Sequence, residues 1–135
     1  MDIVTKRIIA RFAKAVLSLQ SALALGELPE HAERDAALLR FELVAELMPK
    51  LLRRVLAERG ADVSLPKDAV RAAHTAGLVS EQDATVLLAA IDDRNRMVHD
   101  YSEGFAEGLF SRIKHDYAPA FSRLAGVIQK DQNHD

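Results

Sequence analysis

Hydrophobic residues recur along most of this chain at steps of three and four, which is the spacing of one face of an α-helix. The first such run covers residues 3 to about 25, and its apolar face consists of Ile8, Phe12, Val16, Leu19 and Leu23. Gly26 is predicted to end this helix, and Pro29 reinforces the break because proline cannot continue the backbone hydrogen bonding.

A second and longer helical pattern runs from about His31 to Arg59, and Gly60 is predicted to end it. Its apolar stripe consists of Ala37, Phe41, Val44, Met48, Leu51 or Leu52, and Val55. Pro49 lies inside the pattern and is predicted to kink the helix, because it removes a backbone donor and crowds the preceding turn. Both stripes are interpreted as core-packing faces.

A short third helix and the start of a fourth are marked by residues that favour helix ends. Ser64 is predicted to cap the short helix, Pro66 lies in its first turn, and Gly77 suits its end after about Ala76. Ser80 is predicted to cap the fourth helix. The apolar face of that helix consists of Val86, Leu87, Ala90 and Ile91, and it runs into a strongly charged stretch.

The last helix is predicted to begin after Ser102, a further candidate cap, and to bend at Pro119. Its apolar face consists of Ala106, Leu109, Phe110, Ile113, Tyr117, Phe121, Leu124 and Ile128. The polar residues from Lys130 to Asp135 are expected to fray. The pattern as a whole predicts an all-α, antiparallel up-and-down bundle of four long helices and one short helix, in a single domain over residues 1–135.

Composition narrows the classes of protein. Nearly half of the 135 residues are hydrophobic, and no cysteine is present, which excludes disulfides, thiolate zinc sites and cysteine nucleophiles. No apolar run approaches the roughly 18 residues of a membrane span, and the first residues lack the pattern of a signal peptide, so a cytoplasmic protein without a membrane partner is expected. The net charge of −2 means that any nucleic acid would have to bind through a local patch or a symmetric pair of patches.

The charged stretch is Asp92-Asp93-Arg94-Asn95-Arg96-Met97-Val98-His99-Asp100-Tyr101. On an unbroken helix Arg94 and His99 would lie about 140° apart, so they would not share a face. They can therefore cooperate only if the helix ends or bends near Val98, if the long arginine side chain reaches around, or if a symmetric dimer brings the two chains together. The Ser102 cap favours a break.

If Arg94 and His99 converge, they provide a recognisable chemistry. Arginine stays protonated and binds phosphate through paired hydrogen bonds, and histidine moves protons near neutral pH. Together they suffice for metal-independent cleavage of RNA by its own 2′-hydroxyl. Tyr101 adds a phenol that could serve as nucleophile or acceptor, and Asn95 could orient a neighbour.

A purely structural interpretation of the same stretch is also open. Asp92 and Arg96 are four residues apart, in the order that favours an ion pair on a helix surface. His99 and Tyr101 would then simply terminate the helix.

The segment from Arg94 to Tyr101 resembles the Arg-x4-His-x-Tyr signature of the HEPN superfamily. The wider chain, roughly residues 35 to 125, resembles one branch, the nucleotidyltransferase substrate-binding proteins, which include the HepT-type toxins. The stretches that carry this resemblance are Arg40-Phe41-Glu42, Leu65-Pro66-Lys67, Ala76-Gly77-Leu78, Asp93-Arg94-Asn95 with His99 and Tyr101, and Tyr117.

The resemblance implies a homodimer in which the motifs of both chains face one cleft. It implies that Arg94 and His99 are ribonuclease residues, with Asp93, Asn95 and Arg96 in support. It also implies that a minimal nucleotidyltransferase acts as antitoxin by adding AMP to Tyr101. In other members of the branch the protein is a non-catalytic subunit that presents a substrate to the nucleotidyltransferase, and this alternative stays open.

Other candidate sites are weaker. The histidines His31, His74, His115 and His134 show no metal-binding spacing, so no metal and no cofactor are expected. Lys50, Arg53, Arg54 and Arg59 form a basic patch on the second helix, which is either a solvated face or a surface that guides RNA or an acidic partner. No glycine-rich phosphate loop occurs, so the chain is not itself a nucleotidyltransferase.

Overall fold

A computed structural model describes residues 1–133 of the chain, and within that range all regular structure is helical. The helices are α1 (Ile3–Leu23), α2 (Ala32–Glu58), α3 (Pro66–Thr75), α4 (Glu81–Arg96), α5 (Glu103–Arg112) and α6 (Ala118–Asn133). A π-helical turn, Ile113–Tyr117, joins α5 to α6, so these two segments together correspond to the predicted last helix. The predicted all-α bundle is confirmed. None of the helices in residues 1–133 is both long and apolar enough to cross a membrane.

The longest helix, α2, lies at the centre of the bundle and packs against α1, α3, α4 and α5. It continues to Glu58 through the buried Pro49, the position of the predicted kink. Gly60 follows with a φ of +87°, a left-handed conformation that glycine adopts without steric cost. At the other end, Glu30 and His31 have φ values of +58°, which delays the start of the regular helix to Ala32.

The predicted cap of α3 is wrong. Leu65 occupies the N-cap position and contributes no side-chain hydrogen bond. The reason is that Pro66 is the first residue of the helix, where its missing N–H has no cost, so Ser64 lies one residue too early to cap it. The carbonyl oxygen of Ser64 instead accepts a hydrogen bond from the Arg53 guanidinium at 2.6 Å.

An aromatic cluster links α1, α2 and α6 in the core. The Phe41 and Tyr117 rings stack with centroids 5.5 Å apart, and Phe121 packs against Phe41 at 6.2 Å and against Phe12 at 6.4 Å. Such contacts add to the energy of burying the rings. The cluster fixes the position of Tyr117, whose buried hydroxyl points towards Asp93 on α4.

A bend is predicted at Pro119, and in the structure a π-helical turn, Ile113–Tyr117, ends two residues before this proline. Proline lacks the N–H that would bond to the carbonyl four residues earlier, and for Pro119 that residue is His115, which lies within this turn. Because the turn carries Tyr117, it also matters for the site described below.

The fraying expected from Lys130 onwards is wrong for residues 130–133. Helix α6 continues to Asn133, and the Asp131 carboxylate pairs with Arg59 at the end of α2. This contact between two elements could not be seen in the polar sequence. Residues 134 and 135, which include His134, lie outside the described part of the chain.

Candidate functional site at the break between α4 and α5

The charged stretch lies where α4 ends and the chain turns into α5. Helix α4 ends at Arg96, residues 97–102 form a connection, and α5 begins at Glu103. The hydroxyl of Ser102 accepts a hydrogen bond from the Phe105 backbone N–H at 3.3 Å, so the predicted cap and the predicted helix break are both confirmed. Ser80 caps α4 in the same way, through the Asp83 N–H at 3.0 Å.

Asp100 holds this connection in shape. Its carboxylate accepts a hydrogen bond from the Ser102 N–H at 2.9 Å and two from the Arg96 guanidinium, at 2.9 and 3.1 Å. The bonds from Ser102, followed by those from Arg96, lower the pKa of Asp100 to about 2. The Arg96 guanidinium also lies 4.5 Å from the centre of the Phe105 ring. The connection of residues 97–102 is therefore a loop of defined conformation.

His99 and Tyr101 are exposed on this loop. Tyr101 is 86% exposed, and its hydroxyl donates a hydrogen bond to the Val98 carbonyl oxygen at 3.1 Å. The His99 backbone N–H bonds to the Arg96 carbonyl oxygen at 2.9 Å, while its imidazole faces solvent. Neither side chain contributes to the core.

Arg94 points in a different direction, towards α2. Its Nη2 lies 3.9 Å from the Glu46 carboxylate, and its buried Nε has no hydrogen-bond partner in residues 1–133. Arg94 and Asn95 line a small crevice between α2 and α4, which we call the α2–α4 crevice. Over the described residues, no hydrogen bond or ion pair joins Arg94 to His99, so the structure brings Arg94 and Asn95 together but does not pair Arg94 with His99 in one chain.

Asp93 points away from α2 and connects α4 to α5 and the π-turn. Its carboxylate accepts hydrogen bonds from the Arg112 guanidinium at 2.7 and 3.0 Å and from the Tyr117 hydroxyl. Burial, followed by the bond to Asp93, raises the pKa of Tyr117 above its usual range. Asp93 therefore supports the motif by fixing the end of α4 against α5 and the π-turn.

The ion pair between Asp92 and Arg96, considered from the spacing alone, does not form. Asp92 instead pairs with Lys67 on α3 at 2.6 Å, and Arg96 pairs with Asp100. Helix α3 packs beside α4, which brings Lys67 within reach. The loop turns back after Val98, which brings Asp100 to Arg96.

Sequence reasoning missed three residues that position the site: Asp100, Arg112 and Glu46. The sequence offered a weak indication of the role of Asp100, because it lies four residues after Arg96 and two residues before the Ser102 cap, within reach of both. It offered no such indication for Arg112 and Glu46, because they reach the motif from other helices.

A second cluster, at the start of α2, was also invisible in the sequence. Ligand atoms of His31, Glu103 and Glu107 lie within 4.8 Å of one another, an arrangement that could hold a metal. However, the buried Arg34 donates to Glu103 at 2.8 and 2.9 Å and to Glu107 at 2.6 Å. Because both carboxylates already accept hydrogen bonds from the Arg34 guanidinium, we interpret the cluster as a connection between α2 and α5.

An open groove of about 620 Å³ runs beside Tyr101, between the first half of α2 and the loop. Its lining includes Leu38, Glu42, Val98 and Phe105. On the exposed side of α2, Leu39 and Leu43 are 71% and 48% exposed and four residues apart, so they share a face of the helix. The motif thus lies beside a surface with several unburied apolar side chains.

Comparison with solved structures finds the same helical fold in two toxin–antitoxin complexes. A HEPN toxin from Shewanella oneidensis, described as tri-AMPylated and in complex with an MNT antitoxin, has a TM-score of 0.78 at 16% identity, covering 96% of this chain and 99% of that chain. A mutant of the toxin–antitoxin pair MntA-HpeT has a TM-score of 0.79 at 14% identity, with the same coverage. At these identities the likeness concerns the fold.

A protein from Thermus thermophilus is more similar in sequence, with 36% identity over 85% of this chain and 96% of that chain, and a TM-score of 0.77. Residues 7–130 match the model of the family described as nucleotidyltransferase substrate binding protein like. The chain belongs to this family, which confirms the resemblance seen in the sequence. No curated protein matches the chain.

Proposed function

We propose that this protein is the toxin of a two-gene nucleotidyltransferase module. In this proposal it is a homodimeric, metal-independent endoribonuclease that uses Arg94 and His99, and a partner nucleotidyltransferase silences it by attaching AMP to Tyr101. The observation that carries the proposal is the exposure of His99 and Tyr101 on a loop that Asp100 and Arg96 hold in a defined shape. Reactive side chains without a packing role, displayed from a fixed scaffold, are typical of functional sites.

The need for a dimer follows from the directions of the two catalytic side chains. Arg94 faces the α2–α4 crevice, whereas His99 faces solvent, so one chain alone does not pair them. A two-fold axis beside the loop would bring two copies of each into one cleft. The exposed Leu39 and Leu43 and the apolar part of Tyr101 supply surface that such a contact would bury.

The proposed reaction uses the RNA as its own nucleophile. One His99, in its neutral form, takes the proton of a ribose 2′-hydroxyl while the 2′-oxygen forms a bond to the adjacent phosphorus. The bond from phosphorus to the 5′-oxygen breaks, and the second His99 of the dimer, in its protonated form, gives that oxygen a proton. Arg94 stabilises the additional negative charge on the phosphoryl oxygens. The products are a 2′,3′-cyclic phosphate and a 5′-hydroxyl end.

The proposed control step is the attachment of AMP from ATP to Tyr101. The phenol oxygen would form a bond to the α-phosphorus of ATP, pyrophosphate would leave, and the phenol proton would pass to a base of the partner. Tyr101 suits this role because it is 86% exposed, whereas Tyr117, the other tyrosine of the chain, is buried and bonded to Asp93. The Shewanella relative, described as AMPylated and bound to an antitoxin, supports the assignment by likeness of fold.

The first test is cleavage of RNA by the purified dimer in the presence of a chelator. We expect His99→Ala and Arg94→Ala each to lower the rate by about 10²–10⁴-fold, the usual contribution of a catalytic acid–base or charge-stabilising group. His74→Ala removes another exposed histidine and should leave the rate unchanged. Intact RNA with the wild-type dimer, or equal rates for all three variants, would contradict the ribonuclease proposal.

The second test is mass spectrometry of the protein after co-expression with its nucleotidyltransferase. We expect an increase equal to one or more AMP groups, located on the peptide that contains Tyr101 and absent from Tyr101→Phe. Modification elsewhere, or none in an active complex, would overturn the assignment of the acceptor.

A second candidate function is a non-catalytic subunit that presents a substrate to the nucleotidyltransferase. The description of the matched family favours it, and so does the position of Arg94 near Glu46 rather than near a histidine. This candidate predicts a stable complex with the nucleotidyltransferase, no RNA cleavage, and no growth arrest when the protein is expressed alone.

A further inference from the structure

The α2–α4 crevice combines an apolar wall with a cationic rim. It has a volume of about 160 Å³ and lies between the second half of α2, the start of α3 and the end of α4. Pockets for drug-sized ligands usually measure about 300–1,000 Å³. The crevice therefore has room for a single flat ring and little more.

Its wall is formed by Pro49, Pro66 and Ile91, one from each of the three helices. The prolines offer no backbone donor, and their rings are rigid. A ligand therefore gains binding free energy from this part of the wall by burying an apolar face against it. A nucleobase has such a face, together with a polar edge. Asn95 lies on the rim, and its amide can both donate to and accept from a base edge.

The rim has a local charge opposite to that of the whole chain. The rim carries three positive side chains, Lys50, Arg53 and Arg94, and one carboxylate, Glu46. Its formal charge is therefore +2, whereas the net charge of the whole chain is −2. Because phosphate groups bind where cations outnumber anions, the rim is the kind of surface that RNA needs on this acidic protein.

Two of these cations retain donors for a ligand. Lys50 lies 3.5 Å and Arg94 lies 3.9 Å from the carboxylate of Glu46, so they share one loosely held counterion. The Nε of Arg94 is buried and has no partner in the described residues, but the side chain as a whole is 32% exposed, which leaves its terminal guanidinium nitrogens within reach of an acceptor. Arg53, by contrast, is committed to the Ser64 carbonyl oxygen.

We infer that the α2–α4 crevice is a nucleotide subsite for single-stranded RNA, with the base against Pro49, Pro66 and Ile91 and the adjoining phosphate between Lys50 and Arg94. This inference rests on the proposed ribonuclease function, since Arg94 would connect the subsite to the cleaved phosphate. A single-stranded substrate is required because a base enters such a crevice only after leaving its stack. Glu46 opposes the phosphate and so limits the affinity.

The test is the binding of a fluorescent single-stranded oligoribonucleotide with 2′-O-methyl groups, which cannot be cleaved through the 2′-hydroxyl. We expect Lys50→Gln to weaken binding about 5–10-fold and to reduce the salt dependence by about one phosphate contact. Lys14→Gln removes the same charge from the exposed face of α1 and should stay within about twofold of wild type, since distant surface charges are screened. Glu46→Gln should strengthen binding about 3–10-fold, because it removes a like charge facing the phosphate.

Two further arms complete the experiment. Glu42→Gln changes a residue one turn earlier on α2 that lines the Tyr101 groove instead, and it should not strengthen binding. An oligonucleotide of the same length without bases should bind about tenfold more weakly to wild type, because the apolar wall loses its ligand. If Lys50→Gln and Glu46→Gln behave like Lys14→Gln and Glu42→Gln, the crevice does not bind RNA.

The outcome is separable from that of the ribonuclease proposal. If the wild-type dimer cleaves RNA but Lys50→Gln changes neither the affinity nor the KM, the subsite inference fails alone. If the wild-type dimer does not cleave RNA but the binding pattern appears as expected, the ribonuclease proposal fails while the crevice remains an RNA site. If Lys50→Gln weakens the complex with the nucleotidyltransferase and leaves RNA binding unchanged, the crevice is a protein contact and the inference is overturned.

Discussion

Asp93 joins the end of α4 to the last helix, and replacing it with asparagine removes its charge while keeping its size. The carboxylate receives two hydrogen bonds from Arg112 and one from Tyr117, and the side chain is only 13% exposed. In Asp93→Asn the amide oxygen can replace only one of the two carboxylate oxygens that accept these bonds. The amide NH₂ would face another donor, so the remaining contacts become unsatisfied or repulsive.

The expected destabilisation is about 2–3 kcal/mol. A hydrogen bond to a charged group contributes roughly 1.5–3 kcal/mol, but the bonds from Arg112 are discounted because that side chain is 38% exposed. The Tyr117 hydroxyl is buried, so leaving it without an acceptor costs about 1–3 kcal/mol. With an unfolding entropy of about 2.1 cal/mol/K per residue over 135 residues, the Tm should fall by about 7–11 °C.

The assay is thermal and urea unfolding followed by circular dichroism, with Asp92→Asn as the matched control. Asp92 is an exposed neighbour whose pair with Lys67 is a surface contact, so its replacement should change stability by less than about 0.5 kcal/mol. If Asp93→Asn is no more destabilising than Asp92→Asn, Asp93 does not hold α4 against α5, and its position in the motif needs another explanation. A double-mutant cycle with Tyr117→Phe would isolate the coupling between Asp93 and Tyr117.

Two predictions concern pH. The pKa of Asp100 is lowered to about 2, so its contribution to stability is complete above the usual aspartate pKa, near pH 4, and is lost as the pH falls towards 2. Asp100→Asn should therefore show a flatter dependence of Tm on pH in that window than wild type, and parallel curves would refute the role of Asp100 in holding the loop. The pKa of Tyr117 is raised, so its contribution is present below the usual tyrosine value of about 10 and is lost above it. Between about pH 9 and 11 the Tm of Tyr117→Phe should therefore fall less than the Tm of wild type. An equal fall in both proteins would mean that folding does not raise the pKa of the Tyr117 hydroxyl.

Local signals in the sequence were sufficient to locate the helix ends around the motif. Ser80 and Ser102 cap their helices through bonds to N–H groups three residues on, and such contacts depend only on neighbouring residues. The cap predicted at Ser64 failed for an equally local reason, since Pro66 takes the first helical position. The continuation of α6 beyond Lys130 was not predictable in this way, because it involves a partner on α2.

What the sequence by itself determined is the all-α bundle, a helix break near Val98 and the set of chemically capable residues around that break. These features follow from helical periodicity and from caps, which act over a few residues. Only the tertiary structure decided which way each side chain points. It turned Asp93 to Arg112 and Tyr117, Arg94 to the crevice beside Glu46, and left Tyr101 exposed. The physical reason is that these directions depend on which helices pack together, and contacts between residues far apart in the chain leave no periodic trace in it.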